Sequence, residues 1–138
     1  MAANNNAVLC LTPNLSKSRL VTANTTRDLS VTTNAVLALT PGVNGSRIDR
    51  IIFTATAADQ TTASAASVLR LYITDAAIAN PRLYRELAIA AVTPSSTAIG
   101  ATGIMNFAGG LIVNSNELVY VTTSVTGGWD CVVEGADF

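Results

Sequence analysis

The stretch Val68-Leu69-Arg70-Leu71-Tyr72-Ile73-Thr74 has the clearest alternation of apolar and polar residues in the chain. Successive side chains of a β-strand point to opposite faces of its sheet. Leu69, Leu71 and Ile73 would therefore face a core, while the residues between them, Tyr72 included, would face outward. The stretch predicts a β-strand with one buried face.

Segments of similar composition follow one another from residue 31 onward and are separated by turn-forming residues. Asn44-Gly45 tolerates the positive φ of a tight turn, Gly109-Gly110 is expected to form another turn, and Gly127-Gly128 has hairpin spacing between two strand-like runs. The predicted strands cover residues 35–39, 47–57, 68–74, 82–92, 102–107, 111–113, 117–125 and 129–134. About eight short antiparallel strands predict an all-β domain, either a β-sandwich or a jelly roll.

The segment 82–92 has two interpretations. Asn80-Pro81 resembles a helix N-cap followed by proline at the first helical position, and Leu83 and Leu87 are one helical turn apart. The residues from Leu83 to Ile89 also alternate, however, and Thr93-Pro94 ends the segment abruptly. We favour a strand.

Residues 1–30 are polar and rich in turn formers, and we predict an extended N-terminal arm here, with residues 31–138 forming the sandwich domain. A frayed terminus is the competing interpretation. The short apolar pairs Val8-Leu9 and Leu20-Val21 favour an arm with one or two short strands, because a solvated tail would not need them. Met1 to Asn6 lacks a positive region ahead of an apolar one, so we expect no secretory signal and synthesis in a cytoplasm.

The composition excludes several classes of function. Nine acidic and eight basic residues give a net charge of −1, with one lysine and scattered arginines, so no basic stripe is available for nucleic acid. Apolar windows are far shorter than the roughly 20 residues of a membrane span, so no membrane is expected as partner. Charged residues make up only 12% of the chain, against about 25% in ordinary domains, and mean hydropathy is +0.41. The polar surface must therefore consist largely of Thr, Ser and Asn.

Catalytic motifs are missing from the sequence. The chain has no histidine, which removes the commonest general base and metal ligand. Cys10 and Cys131 lack metal-ligand spacing, and two packed thiols are a simpler interpretation than a disulfide. The carboxylates form no spaced set of calcium ligands. We expect no enzyme activity, no cofactor and no metal.

Uncharged hydroxyl and amide faces lose water more cheaply than ionic ones, so this surface suits contacts with other proteins. Trp129, the only tryptophan, has two interpretations: a core residue of an alternating strand, or an aromatic platform for a sugar or a partner. The candidate interface residues are Val8, Leu9, Leu20, Val21, Tyr72, Tyr84 and Trp129.

Four pieces of the sequence resemble a family of small proteins encoded among the virion genes of tailed bacteriophages. They are, in order, Leu69–Ile73 running into an acidic turn, Arg85–Ile89, the Thr93-Pro94-Ser95 turn, and a closing Gly135-x-Asp137-Phe138. The resemblance covers roughly residues 47–138 and not the front arm. Each piece is short, and it is their order that is distinctive.

The resemblance implies a β-sandwich accessory protein of the virion, a capsid cement or decoration protein located on the capsid surface. Such proteins commonly form trimers where capsomers meet, so the expected partners are the major capsid protein and further copies of the chain. No catalytic residues come with the family. The alternative is a receptor- or glycan-binding knob of a fibre or tail, with Trp129 or Tyr120 stacking on a sugar.

Overall fold

The chain folds as two antiparallel β-sheets packed against each other, as seen in a computed structural model that describes residues 12–29, 34–56, 64–95, 97 and 99–138. All regular elements in these ranges are strands, and no helix long and apolar enough to cross a membrane occurs in them. The strands are β1 (Thr12–Leu20), β2 (Val36–Leu39), β3 (Ser46–Ala55), β4 (Ser67–Asp75), β5 (Arg82–Ile89), β6 (Thr102–Val113), β7 (Glu117–Thr123) and β8 (Trp129–Asp137). The predicted all-β sandwich is confirmed.

The strand order follows from one long antiparallel ribbon folded over on itself. The first sheet has the order β1-β8-β3-β6, and the second has the order β2-β7-β4-β5. Within them β1 pairs with β8, β2 with β7, β3 with β6 and β4 with β5, all antiparallel. This nested pairing is compatible with a jelly roll, in which eight strands form two Greek keys.

The core lies between the sheets and consists of the side chains that point inward from the strands. In β4 the inward residues are Leu69 and Leu71, which are fully buried, as the alternation predicts. Trp129 on β8 is 2% exposed and belongs to the same cluster, directly opposite the buried Leu20 of β1. The core interpretation of the tryptophan is therefore the one that the fold adopts.

The segment after Pro81 is strand β5, and not a helix, because its alternating apolar residues reach the core from the sheet. Leu87 and Ile89 pack against the core cluster, and the strand pairs along β4. A Cβ at Gly103 of β6 would overlap the side chains of both residues, so the missing side chain allows the two sheets to approach here.

Two glycine pairs do not form the predicted turns. Gly127-Gly128 links β7 to β8, but these strands lie in different sheets, so the connection is a crossover and not a hairpin. Gly109-Gly110 lies inside β6, with φ of 81° and 82°. There residues 107–110 oppose the single residue Asp49 of β3, which makes a bulge. Positive φ at glycine serves a bulge as well as a turn, which is why the sequence pattern suggested two strands in place of one.

The described part of the predicted arm lies against its own domain. β1 pairs along the whole of β8 as an edge strand of the first sheet, and its last residue, Leu20, enters the core. Residues 21–29, here called the strap, continue from β1 onto the second sheet, where the backbone N–H of Asn24 donates to the carbonyl oxygen of Thr123 at 2.8 Å. The arm hypothesis beyond this part concerns residues 1–11, which lie outside the described residues.

Candidate functional site

The outer face of the second sheet is closed. Arg70, Tyr72 and Thr74 point away from the core on β4, yet none is more than 6% exposed. Thr122, directly opposite Arg70 on β7, is fully buried as well. Outward-facing residues this deeply buried require a cover, and the strap supplies part of it.

Polar contacts fix the strap to this face. The Arg70 guanidinium donates to the carbonyl oxygen of Asn24 at 3.1 Å and pairs with Glu86 at 2.9 Å. Arg27 on the strap makes two hydrogen bonds to the same carboxylate, at 3.2 and 2.7 Å. The hydrogen bond from Arg70, supported by that from Arg27, holds the pKa of Glu86 below its ordinary value. Burial raises the pKa of the phenol of Tyr72, which lies on this covered face.

The outer face of the first sheet, in contrast, is open. Its central cross-strand row runs over all four strands, because Lys17 pairs with Val132, Val132 with Ile52, and Ile52 with Ile104. Val132 and Ile52 are half-buried, and Ile104 is 44% exposed. Leu15 and Ile112, 56% and 52% exposed, extend the apolar surface on the same side. We call this surface the open face.

Ion pairs border the apolar row on both sides. Arg19 and Asp130 lie one row above it, 3.7 Å apart, and Arg50 pairs with Glu134 in the row below. All four side chains are at least 33% exposed, so these pairs contribute little to stability. An apolar centre with a polar rim is the usual anatomy of a protein–protein interface.

Three of the predicted interface residues are buried within the chain itself. Leu20 and Trp129 face each other in the core, and Tyr72 lies on the closed face at 1% exposure. Tyr72 does point outward, as its position in β4 predicts, but its face is covered. These residues are therefore unavailable to a partner, and Trp129 cannot stack on a sugar.

Two predicted residues are exposed, and they lie apart from each other. Val21, at the start of the strap, is 53% exposed, and Tyr84 on β5 is 52% exposed. Val8 and Leu9 lie outside the described residues.

Tyr84 is part of a small cluster at the edge between the sheets. Its ring centroid lies 6.0 Å from that of Phe107 on β6, and the Arg85 guanidinium lies 5.7 Å from the centre of the same ring. Arg85 also donates to the carbonyl oxygen of Asn106 at 2.7 Å. Tyrosine and arginine dominate binding energy in protein interfaces, which makes this edge a second candidate surface.

The residues of the open face were not among the interface residues predicted from the sequence, although the sequence contained part of the evidence for them. The alternation of β3 assigns Ile52 to the side opposite the buried Ile51 and Phe53. An apolar residue on an outward face is informative only once its cross-strand neighbours are known. Ile104 and Val132 become neighbours of Ile52 through pairings between distant parts of the chain.

The described part of the chain contains one cysteine and no cluster of metal-ligating side chains. Cys131 is a free thiol, 1% exposed, and burial raises its pKa to about 12. No three His, Cys, Asp or Glu side chains among the described residues lie close enough to hold a metal ion. The prediction for Cys10 lies outside these residues.

The closing Gly135-x-Asp137-Phe138 has a structural role. A Cβ at Gly135 would overlap the backbone oxygen of Arg47 on β3. The Asp137 carboxylate accepts hydrogen bonds from the Asn14 amide, at 2.8 Å, and from the Ser46 hydroxyl. The backbone N–H of Phe138 donates a hydrogen bond to the carbonyl oxygen of Gly45, 3.2 Å away. The motif thus joins β8 to β1 and to the turn before β3.

A comparison of the chain with protein-family models, with curated proteins and with solved structures found no match. The fold and the open face are therefore interpreted from their own chemistry.

Proposed function

We propose that the chain is a structural protein of a phage virion, a cement or decoration protein that binds the outside of an assembled head and stabilises it by protein–protein contacts. The open face carries the proposal. It has an apolar row bordered by ion pairs. The outward side chains of this row and of the two ion-pair rows beside it are all at least partly exposed. The other sheet has its outer face closed.

The difference between the two faces supports binding to a partner. Contact between an exposed apolar row and water is unfavourable. The chain covers the outer face of its second sheet but leaves the open face uncovered. A face left bare in a chain with only 12% charged residues is suited to lie against another protein.

The area of the open face suits a weak contact that is repeated by many copies of the chain. Four strands spaced about 4.8 Å apart, each about nine residues long at about 3.3 Å per residue, give a flat area of roughly 570 Å². A stable pairwise interface needs about 800 Å² on each partner. One open face therefore supports modest affinity, and a lattice of copies raises the total by multivalency.

The partner in this proposal is the major capsid protein, and the attached copies form a trimer at the junction of capsomers, as the resemblance in the sequence implies. The strand order, compatible with a jelly roll, agrees with this function because jelly rolls recur among viral capsid proteins. Since they recur among lectins too, the fold alone does not carry the proposal.

Head binding by variants of the open face tests the proposal. Ile104→Lys places a charge at the exposed β6 end of the apolar row, and we expect at least a tenfold loss of affinity for heads purified from a phage that lacks this gene. Val43→Lys is the control, because it adds the same lysine at an apolar residue that is 88% exposed in the turn before β3, outside the strands of the open face. Co-sedimentation of chain and heads measures the affinity.

Unchanged head binding by Ile104→Lys would exclude the open face, and no binding by the wild-type chain would exclude the function. A specific signal on a glycan array would favour the receptor-binding alternative. Since Trp129 is buried, that alternative now depends on Tyr120, which is half-buried.

A further inference from the structure

Among the described residues, all but two of the arginines pair with a carboxylate. Five of the seven have a carboxylate within 4 Å: Arg19, Arg27, Arg47, Arg50 and Arg70. Arg82 and Arg85 have no such partner among the described residues, and both are exposed. They lie three residues apart on β5, an edge strand.

A bulge places the two unmatched arginines on one face of β5. Residues three apart in a regular strand point to opposite faces. Here Leu71 pairs with Arg85 and Tyr72 with Leu83, so Tyr84 is an extra residue on β5. Arg82 pairs with Ile73, which points the same way as Leu71. Both arginines therefore emerge on the core-facing side of β5, at the free edge of the second sheet, where Arg85 reaches β6 and both residues are exposed.

Two half-buried carboxylates lie on the same core-facing side of the second sheet, at the ends of their strands. Asp75 of β4 is directly opposite Glu117 of β7. Like charges in this position repel each other. Their hydrogen bonds come from uncharged donors, since Asp75 accepts from the backbone of Ala79 at 2.7 Å and Glu117 from the backbone of Asn114 at 2.8 Å. No arginine or lysine of the described residues pairs with either carboxylate.

The four groups form an ordered stripe along the rim of the second sheet. Passing from β7 through β4 to β5, the register gives Glu117, Asp75, Arg82 and Arg85, which is two negative charges followed by two positive ones. The strand spacing and rise place its ends roughly 16 Å apart. A two-fold rotation about the middle of such a stripe superposes each charge on its opposite.

We propose that two copies of the chain associate through this stripe, around a two-fold axis between Asp75 and Arg82. In the pair, Glu117 of one copy meets Arg85 of the other, and Asp75 meets Arg82, each contact occurring twice. A two-fold interface is self-complementary by definition, and a second copy carries this complement in the required order. The pairing does not depend on attachment to a phage head, and it leaves the open face free.

Tyr84 supplies an apolar anchor next to Arg85. Its ring is held against Phe107 and remains 52% exposed. Arg85 uses one nitrogen for the carbonyl oxygen of Asn106, so its other donors stay available for a carboxylate. The contacts are exposed ion pairs, so we expect affinity to fall as salt rises.

Charge reversal at the outer pair tests the proposal with the full chain. Sedimentation velocity of the wild type over a concentration series should show a monomer–dimer equilibrium. R85E and E117K should each raise the dissociation constant at least tenfold, because each places like charges together twice. The double variant R85E/E117K should return it to within about threefold of wild type.

Mixing supplies a second test that does not depend on the double variant. R85E and E117K in equal amounts should form a heterodimer of wild-type affinity, because every contact between them is again of opposite charge. Lys17→Glu is the control, since it reverses an exposed charge on the open face without joining the stripe. Circular dichroism checks that each variant is folded.

A wild-type chain that stays monomeric at all concentrations would overturn the proposal. So would association that R85E and E117K leave unchanged, or a weakening that neither the double variant nor the mixture reverses. In the first case, the unmatched arginines would instead be candidates for an acidic segment of another protein.

Discussion

The guanidinium of Arg70 donates a hydrogen bond to the backbone carbonyl oxygen of Asn24, 3.1 Å away, from the side of β4 that faces away from the core. The side chain of Arg70 is only 8% exposed. A buried cation needs a counter-charge, and Glu86 supplies it at 2.9 Å. Arg70 therefore couples the strap to the second sheet through one carbonyl and one carboxylate.

Replacing the carboxylate should loosen the strap. Glu86→Gln removes the negative charge between Arg70 and Arg27, and leaves the nearly buried Arg70 without its counter-ion. We expect a loss of about 1–3 kcal/mol in the free energy of unfolding, below the cost for a fully buried pair because Glu86 is 30% exposed. Urea denaturation followed by fluorescence measures it.

Glu134→Gln is the matched control for this variant. Glu134 also pairs with an arginine, Arg50, but Arg50 is 49% exposed and water screens the pair, so Glu134→Gln should lower the free energy of unfolding much less than Glu86→Gln does. Equal losses in the two variants would show that the strap is not held by the Arg70 contact.

Acid should destabilise the fold below about pH 4.5 and leave it unaffected at neutral pH. The pKa of Glu86 is lowered from 4.5, mainly by Arg70, and that of Asp137 from 3.8, mainly by Asn14. Carboxyls whose pKa is lower in the folded state stabilise the fold fully above their unfolded pKa, and this stabilisation is lost as the pH falls through the folded pKa. The chain has no histidine, so no side chain with an ordinary pKa titrates between pH 5 and 8.

Thermal unfolding at a series of pH values measures this dependence. The melting temperature should be level from pH 7 to 5 and then fall, and Glu86→Gln should reduce the steepness of the fall. A melting temperature that drops between pH 7 and 6 would contradict the assignment.

Local patterns in the sequence were sufficient for the fold class and for most strands. The alternation around Leu69 and Leu71 predicted β4. Alternation, together with Pro94 as a terminator, predicted β5. The pairing of strands depends on contacts between distant residues, which a local pattern does not contain. Gly127-Gly128 has hairpin spacing, yet β7 and β8 end in different sheets because each finds its partners elsewhere.

Interface residues were harder to predict, for the same reason. Tyr72 has the outward position that its strand assigns to it, but whether an outward residue is exposed depends on what crosses above it. In this chain the strap crosses over part of the outer face of the second sheet. The open face and the charged stripe exist only through the register of strands that are distant in sequence.

The glycine of the closing motif should be intolerant of any side chain. Gly135→Ala would place a Cβ into the backbone oxygen of Arg47, and the backbone must shift to accept it. We expect a loss of about 1–3 kcal/mol in the free energy of unfolding. Gly127→Ala is the control, because a Cβ there meets nothing within 4 Å, and its effect should stay within about 0.5 kcal/mol. Equal stability of the two variants would mean that β8 and β3 are not in close contact at Gly135.

Cys131 should be inert to thiol reagents as long as the fold is intact. The thiolate is the reactive form of cysteine, and burial raises the pKa of this thiol to about 12, so very little thiolate exists at pH 8. Its side chain also packs in the core at 1% exposure, where a reagent cannot reach it. The measurement uses Cys10→Ser, so that the signal comes from Cys131 alone. An aromatic disulfide reagent should release no chromophore from the native variant over an hour, and one equivalent in 6 M guanidinium chloride. Rapid reaction of the native variant would show that the edge formed by β1 and β8 opens readily, since Cys131 lies opposite Ser18 between these strands.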